Sequence, residues 1–341
     1  MRNQFIDIMR GIAMLLVVFG HTMTGCTIGA EESFLFNIIW SLQMPLFILI
    51  SGYVTRYSRG INDGVGLLKY VKRRTVAYLM PWLVWSFIVR GVIFGENNFQ
   101  NIKWILWHMD SGYWFLVTIW TISMIFGISI FVAKKLVRNS EIKQQFFTLI
   151  LYVVGMILLA GIGLVMELSF FAIKLTLYYM PFYIVGYLYG QYRDRIYEQK
   201  WGKTAIDVVI ALCLVVWLFI MTRYHLYELP DSGMAIIIRA VSSISGCVAV
   251  CGLCKGLFAN VKNTQGERLL SWCGVHSLEI YLTHYLLLCL LKMEETPLMR
   301  SISGITLTIS NFVITVALTI LVVMLINSNK ALKLVLYGNK G

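Results

Sequence analysis

Phe312-Val313-Ile314-Thr315-Val316-Ala317-Leu318-Thr319-Ile320-Leu321-Val322-Val323-Met324-Leu325-Ile326 carries no charged side chain and no alternation of apolar with polar positions. With the residues before it, from Ile305, it reaches the roughly 20 residues a helix needs to cross a hydrocarbon layer. A barrel strand would alternate, and an open sheet would leave backbone groups unsatisfied in lipid, so the stretch reads as a transmembrane helix. Comparable blocks recur at Ile6–Gly25, Phe34–Val54, Val76–Phe94, Trp114–Ala133, Phe146–Val165, Leu168–Tyr189, Ala205–Thr222, Met234–Gly252 and Trp272–Leu291. The fifth and sixth are too long together for one span, which predicts a tight hairpin near Glu167. The expected fold is an all-α polytopic membrane protein of about ten transmembrane helices.

Composition agrees. Of 341 residues, 58% are hydrophobic and 13% charged, and the mean hydropathy is +0.74. A soluble domain carries about twice that charged share. The formal charge of +12 does not ask for a nucleic acid, because basic residues collect in the cytoplasmic loops of membrane proteins. With the N-terminus inside, the inner segments hold 22 of the 29 Lys and Arg, the outer segments five, and Arg90 and Arg239 lie within spans. The bias places both termini in the cytoplasm. The first block does not read as a removable signal peptide, since it contains Arg10 and His21 and a second apolar block follows closely. No stretch rich in Gly, Pro or Ser marks a boundary, so residues 1–341 read as a single membrane-embedded domain.

Ionisable side chains within spans are costly and are functional candidates. In the first span Arg10 and His21 are eleven positions apart, roughly three helical turns. They return to within about 20° of one face, separated by roughly 16 Å along the axis. Asp7 sits beside Arg10 on the helix surface. Against this stands a plain structural use: Arg10 snorkelling to the inner interface and His21 bonded within the core. In the ninth span His276 lies near the inner end and His284 nearer the outer end. Glu279 is roughly 140° around the helix from His284 and does not share its face. His284 suits a structural and a substrate-contacting role equally. Arg239 and Arg90 could form buried ion pairs with Glu167, Glu279 or Asp207. The clusters Tyr113-Trp114-Phe115 and Tyr178-Tyr179 fit an interfacial belt better than a substrate platform. Cys251-x-x-Cys254 has no second pair and no His cluster beside it, so the cysteines read as small apolar residues and no metal is expected. Walker, Rossmann, nucleophile-elbow and zinc motifs are absent, which speaks against an ATP-driven pump or a soluble-type hydrolase.

Five elements in order resemble acyltransferase family 3. They are Asp7-Ile8-Met9-Arg10-Gly11-Ile12-Ala13 running to Val17-Val18-Phe19-Gly20-His21; Met44-Pro45-Leu46-Phe47 continuing to Ser51-Gly52-Tyr53; Lys72-Arg73-Arg74 followed by Pro81-Trp82; Tyr113-Trp114-Phe115-Leu116; and Ser277-Leu278-Glu279-Ile280-Tyr281-Leu282-Thr283-His284. The resemblance implies ten helices and the transfer of an acyl group, acetyl or succinyl, from cytoplasmic acyl-CoA to a hydroxyl on a surface glycan or small secreted acceptor. It implies a multi-pass protein of a bacterial plasma membrane, in contact with lipid; many members carry an added extracytoplasmic hydrolase-like domain, and with Gly341 soon after the last apolar block a stand-alone form is expected here. Arg10, with a basic loop of Lys72, Arg73 and Arg74, is then expected to meet the CoA phosphates, for which guanidinium groups are suited. His21 is expected to act as general base on the acceptor hydroxyl, with an acyl-imidazole variant open. Asp7 would hold Arg10, and Ser51, Tyr53, Trp114, Arg239, Glu279 and His284 complete the candidates. A homo-oligomer or a glycan-synthesis partner stays open. The competing class is a carrier of small solutes or glycans, which would show paired broken helices; Pro181 and Gly186 could break the sixth span.

The charge bias makes a topology prediction. Green fluorescent protein fused after Gly341 should fluoresce, and alkaline phosphatase fused after Gly112 should be active. The reverse pattern would invert the orientation.

Overall fold

The computed structural model describes residues 3–57, 61–95, 101–137, 140–258 and 264–339. Arg2, Arg59, Arg138, Lys262 and Lys340, counted above among the inner cations, lie outside them. The elements are α1 (Gln4–Cys26), α2 (Phe34–Tyr53), α3 (Gly64–Leu83), α4 (Arg90–Phe94), α5 (Ile102–Trp107), α6 (Trp114–Leu136), α7 (Glu141–Met166), α8 (Ile173–Glu198), α9 (Gly202–Arg223), α10 (Gly233–Leu257), α11 (Gln265–Val275), α12 (Ser277–Thr283), α13 (Ile302–Asn327) and α14 (Lys330–Tyr337). No strand occurs among the described residues, and one backbone bridge joins Ile28 to Leu298. The chain is an all-α polytopic membrane protein: nine of its described helices are long and apolar enough to cross a bilayer.

Helix starts follow the polar residues before each apolar block. Asn3, Ser33, Asp63, Ser140 and Ser232 accept hydrogen bonds from the first turns of α1, α2, α3, α7 and α10. Thr264 and Glu267 form a reciprocal capping box on α11, satisfying orphan N–H groups at that end. The hairpin expected near Glu167 is present. Glu167, Phe171 and Ala172 take positive φ between α7 and α8, which no helix continues through.

Three expectations change. The ninth span is not one helix over Trp272–Leu291 but α11, α12 and a 3-10 turn at His284–Leu287, with His276 at φ −101°, ψ 21° between the helices. Such interruption at membrane depth is tolerated where protein covers it, and Glu279 through His284 are all buried. The third span begins earlier than expected, at Gly64, so Lys72, Arg73 and Arg74 are helical rather than in a loop. Asp63 supplies the cap and no breaker intervenes before Pro81, after which Val84–Val89 widens into a π-helical turn. Widening is one way to absorb the hydrogen bond that proline cannot make. Finally, α8 runs unbroken through Pro181 and Gly186.

The chain groups into two compact units, residues 1–56 with 184–325 and residues 57–183 with 326–341. In the first, α1 and α11 touch backbone to backbone. A Cβ on Gly11 would stand 2.0 Å from Leu270 O, and one on Gly274 would stand 1.7 Å from Asp7 O. Small residues permit this approach, and in lipid van der Waals packing of this kind holds helices together. In the second, Trp85 donates to Leu336 O at 2.7 Å and stacks on Tyr337, so α14 is fastened to the π turn that follows α3.

Gly11→Ala and Gly274→Ala should each cost about 1–3 kcal/mol through forced separation, read as a lowered melting temperature of the detergent-solubilised protein. Gly256→Ala, where an added methyl meets open space, should melt as wild type. Unchanged melting in all three would mean that the α1–α11 approach is not needed.

Candidate active site

In the first unit α1 carries His21 past the broken ninth segment, and the two imidazoles meet. The ring centroids of His21 and His284 lie 5.6 Å apart with the planes tilted by 35°, and Tyr285 stands edge-on to His21 at 6.2 Å. The positions follow from a shared register. Gly11 lies against Gly274, and ten residues further along each segment His21 lies against His284. Two contacts at equal spacing make the segments parallel, as expected when seven spans separate them.

The imidazoles differ in surroundings. His284 is 2% exposed, and its Nδ1 lies 3.0 Å from Ile280 O. A carbonyl can only accept, so this contact assigns the proton to Nδ1 and leaves Nε2 with a lone pair. That Nε2 is buried without a partner among the described residues. His21 is exposed on the chain surface, and no described residue hydrogen-bonds its ring. One imidazole is therefore held and oriented while the other is reachable. On the α2-facing side of the neighbouring Gly20, Gln43 directs a buried Oε1, without a partner among the described residues, to 3.2 Å from where a Cβ on Gly20 would stand.

Toward the start of α1, Asp7 is buried and Arg10 half-buried, and both are engaged within the fold. A cavity of about 640 Å³ opens among α1, α2, α9, α10 and the later turns of α8, walled by Met9, Leu49, Ile50, Val209 and Cys247. Its polar groups include Tyr53, Arg193, Tyr197 and Lys255. Arg193 donates to the Tyr53 hydroxyl at 2.7 Å, and Lys255 lies 4.2 Å above the Tyr197 ring and bonds its hydroxyl. Apolar walls with a few cations suit an amphiphilic anion, and the volume is within the roughly 300–1,000 Å³ of ligand pockets.

The remaining candidates have other employment. Ser51 donates to Phe47 O at 2.8 Å, the backbone one turn earlier, so its proton is not offered to a substrate. Glu279 pairs with His276 at 3.5 Å. Arg239 pairs with Asp231 rather than with Glu279 or Asp207; its other nitrogens donate to Leu226 O and Leu229 O, and its guanidinium lies 5.8 Å over Trp40. Residues 226–231 present carbonyls with few donors of their own, and a fork of five N–H groups suits them.

In the second unit Lys72 and Arg73 are exposed on α3, whereas Arg74 turns inward. It donates to the Tyr78 hydroxyl at 3.0 Å and lies 5.4 Å over the Tyr70 ring, with Tyr183 nearby. Its Nε is buried without a partner, and no carboxylate among the described residues pairs with it. Trp114 stacks on Tyr179 at 5.5 Å, so the two aromatic clusters seen in the sequence are one.

A family model described as an acyltransferase domain matches residues 3–328. The chain belongs to that acyltransferase family. It is 25% identical over 233 residues to a nodulation protein NolL of Mesorhizobium japonicum, covering 63% of this chain and 57% of that protein. It is 24% identical over 212 residues to a nodulation protein NolL of Sinorhizobium fredii, covering 56% and 49%. The chain thus spans about half the length of the curated relatives it matches. No solved structure matches it.

The sequence singles out both histidines but not their contact, because a ring-to-ring contact between distant spans leaves no local pattern. Gln43 was within reach, as an amide inside a span is itself unusual. Tyr70, Tyr78 and Tyr183 were not, since tyrosines are common near membrane interfaces. Arg239→Ala should destabilise the protein by about 1–3 kcal/mol by orphaning two carbonyls, whereas Ser51→Ala should remain within about 0.5 kcal/mol. Thermal unfolding followed by tryptophan fluorescence checks both.

Proposed function

We propose that this acyltransferase moves an acetyl or succinyl group from cytoplasmic acyl-CoA to a hydroxyl of an extracytoplasmic glycan or related acceptor, at a bacterial plasma membrane. The observation that carries the reading is the His21–His284 pair: a reachable imidazole beside a buried one whose Nε2 is an unused acceptor. A neutral imidazole with a free ring nitrogen is suited to take a hydroxyl proton. In this scheme His21 removes the acceptor's proton as its oxygen attacks the thioester carbonyl. The tetrahedral intermediate collapses by breaking the C–S bond, and the His21 imidazolium returns the proton to the departing CoA sulfur. His284 is the positioning residue, its Nε2 able to accept an N–H from His21 once that ring is protonated.

Donor binding has support in each unit considered by itself. The cavity near the start of α1 lies on the side that the charge bias assigns to the cytoplasm, where CoA is found. Arg10 follows Ile6 of its lining by four residues, about 40° around α1. In the second unit Arg74 is a cation held by phenol groups without a carboxylate, an arrangement that suits a phosphate. The carrier reading asks for paired broken helices, whereas the interruption at His276 has no counterpart at Pro45 or Pro181, where the helices run on through their prolines.

The test is release of free CoA from acetyl-CoA or succinyl-CoA by the detergent-solubilised protein. His21→Ala should lower turnover by about 10²–10⁴-fold, and His284→Ala by a smaller factor, with both variants eluting as folded protein. Full activity in His21→Ala would remove the general base from the scheme. If folded wild type neither binds nor consumes acyl-CoA, the donor assignment fails.

A further inference from the structure

The register that joins His21 to His284 continues outward. Five residues beyond His21 is Cys26, the last residue of α1, and five residues beyond His284 is Cys289. The chain at Cys289 meets the last turn of α1, which Cys26 ends, so the two thiols are neighbours. The Cys289 sulfur sits over the final turn of α1, 4.0 Å from Thr22 O and 2.8 Å from where a Cβ on Gly25 would stand. Two further observations single out the pair. Cys289 adopts φ +52°, a left-handed conformation that a residue with a Cβ holds only when its surroundings impose it. The other cysteines described, Cys213, Cys247, Cys251, Cys254 and Cys273, lie in α9, α10 and α11. They belong to spans in which a thiol behaves as a small apolar group.

We infer that Cys26 and Cys289 are an oxidisable pair that closes into a disulfide at the outer face, stapling the end of α1 to the chain just beyond His284. The charge bias puts this end of α1 outside, where disulfides form and persist. The oxidant is a protein disulfide of the extracytoplasmic thiol-exchange class. Cys289, half-buried and the more accessible of the two, attacks it as the thiolate to give a mixed disulfide. The Cys26 thiolate then attacks Cys289 Sγ, forming the internal S–S bond. The oxidant leaves as a dithiol, carrying the two electrons and the two protons that the cysteines lost. Each imidazole then lies five residues from a covalent crosslink, which limits how far the two histidine-bearing segments can part.

The experiment uses whole cells expressing the full chain. Thiols are trapped by acid quenching and alkylation, and the protein is purified without reductant and mapped by mass spectrometry. The expected result is a linked peptide pair containing Cys26 and Cys289. On intact cells, a membrane-impermeant maleimide should label Cys289 only after treatment with an impermeant phosphine. Recovery of both cysteines as alkylated free thiols, or labelling of Cys289 without the phosphine, would overturn the proposal. Cys26→Ser alone should make Cys289 reactive without reduction, and Cys289→Ser should do the same for Cys26 in the unfolded digest. Either variant suffices if the other fails to insert. These readouts follow sulfur alone, so they stand or fall separately from acyl transfer.

Discussion

The backbone contact between α1 and α11 at Gly11 and Gly274 sets everything that follows in the first unit. Helices that touch through side chains can slide or roll by small amounts. Helices that touch through backbone, with a carbonyl where a Cβ would otherwise stand, have one register. From that contact the two segments run parallel, and equal numbers of residues bring His21 to His284 and then Cys26 to Cys289. The interruption at His276 is compatible with this because α12 is short and its residues from Glu279 onward are buried. The chain thereby gains an imidazole pair without needing a continuous ninth helix.

The asymmetry of that pair matters chemically. Two exposed histidines would be solvated alike and would compete for one proton. Burial of His284 with its Nδ1 committed to Ile280 O fixes a tautomer, so a single lone pair faces the site. The ring of His21, which no described residue hydrogen-bonds, is left to meet a substrate. An arrangement in which one group acts and a second orients it recurs wherever a nucleophile must be activated. Here both members come from helices separated by most of the chain. Arg74 in the second unit repeats the theme with cation and phenols: the aromatic faces and hydroxyls hold the guanidinium while its Nε is left unused.

Much of this was legible beforehand, and the reasons are physical. Spans are readable because lipid offers backbone groups no partner, so apolar length alone decides helix position. The ninth segment was read correctly as apolar and incorrectly as continuous, since nothing in Trp272-Cys273-Gly274-Val275-His276 forbids a helix. The basic stretch at Lys72 reads as a loop in the sequence because it lies before the apolar block at Val76; the helix capped by Asp63 takes it in. Ser51 and Arg239 were candidates by polarity, and their partners turned out to be backbone carbonyls within reach, which sequence distance does not reveal.

By itself the sequence determined the helical membrane class, the number of apolar blocks, the side on which cations collect, and the family. Each depends on composition or on spacing along one segment, and lipid enforces both locally. The tertiary structure alone decided which polar groups share a site: His21 with His284, Cys26 with Cys289, Tyr53 with Arg193, and Arg74 with Tyr70 and Tyr78. Those contacts join residues by how closely helices can approach. That closeness is set by single glycines whose importance appears only when the facing backbone is in place.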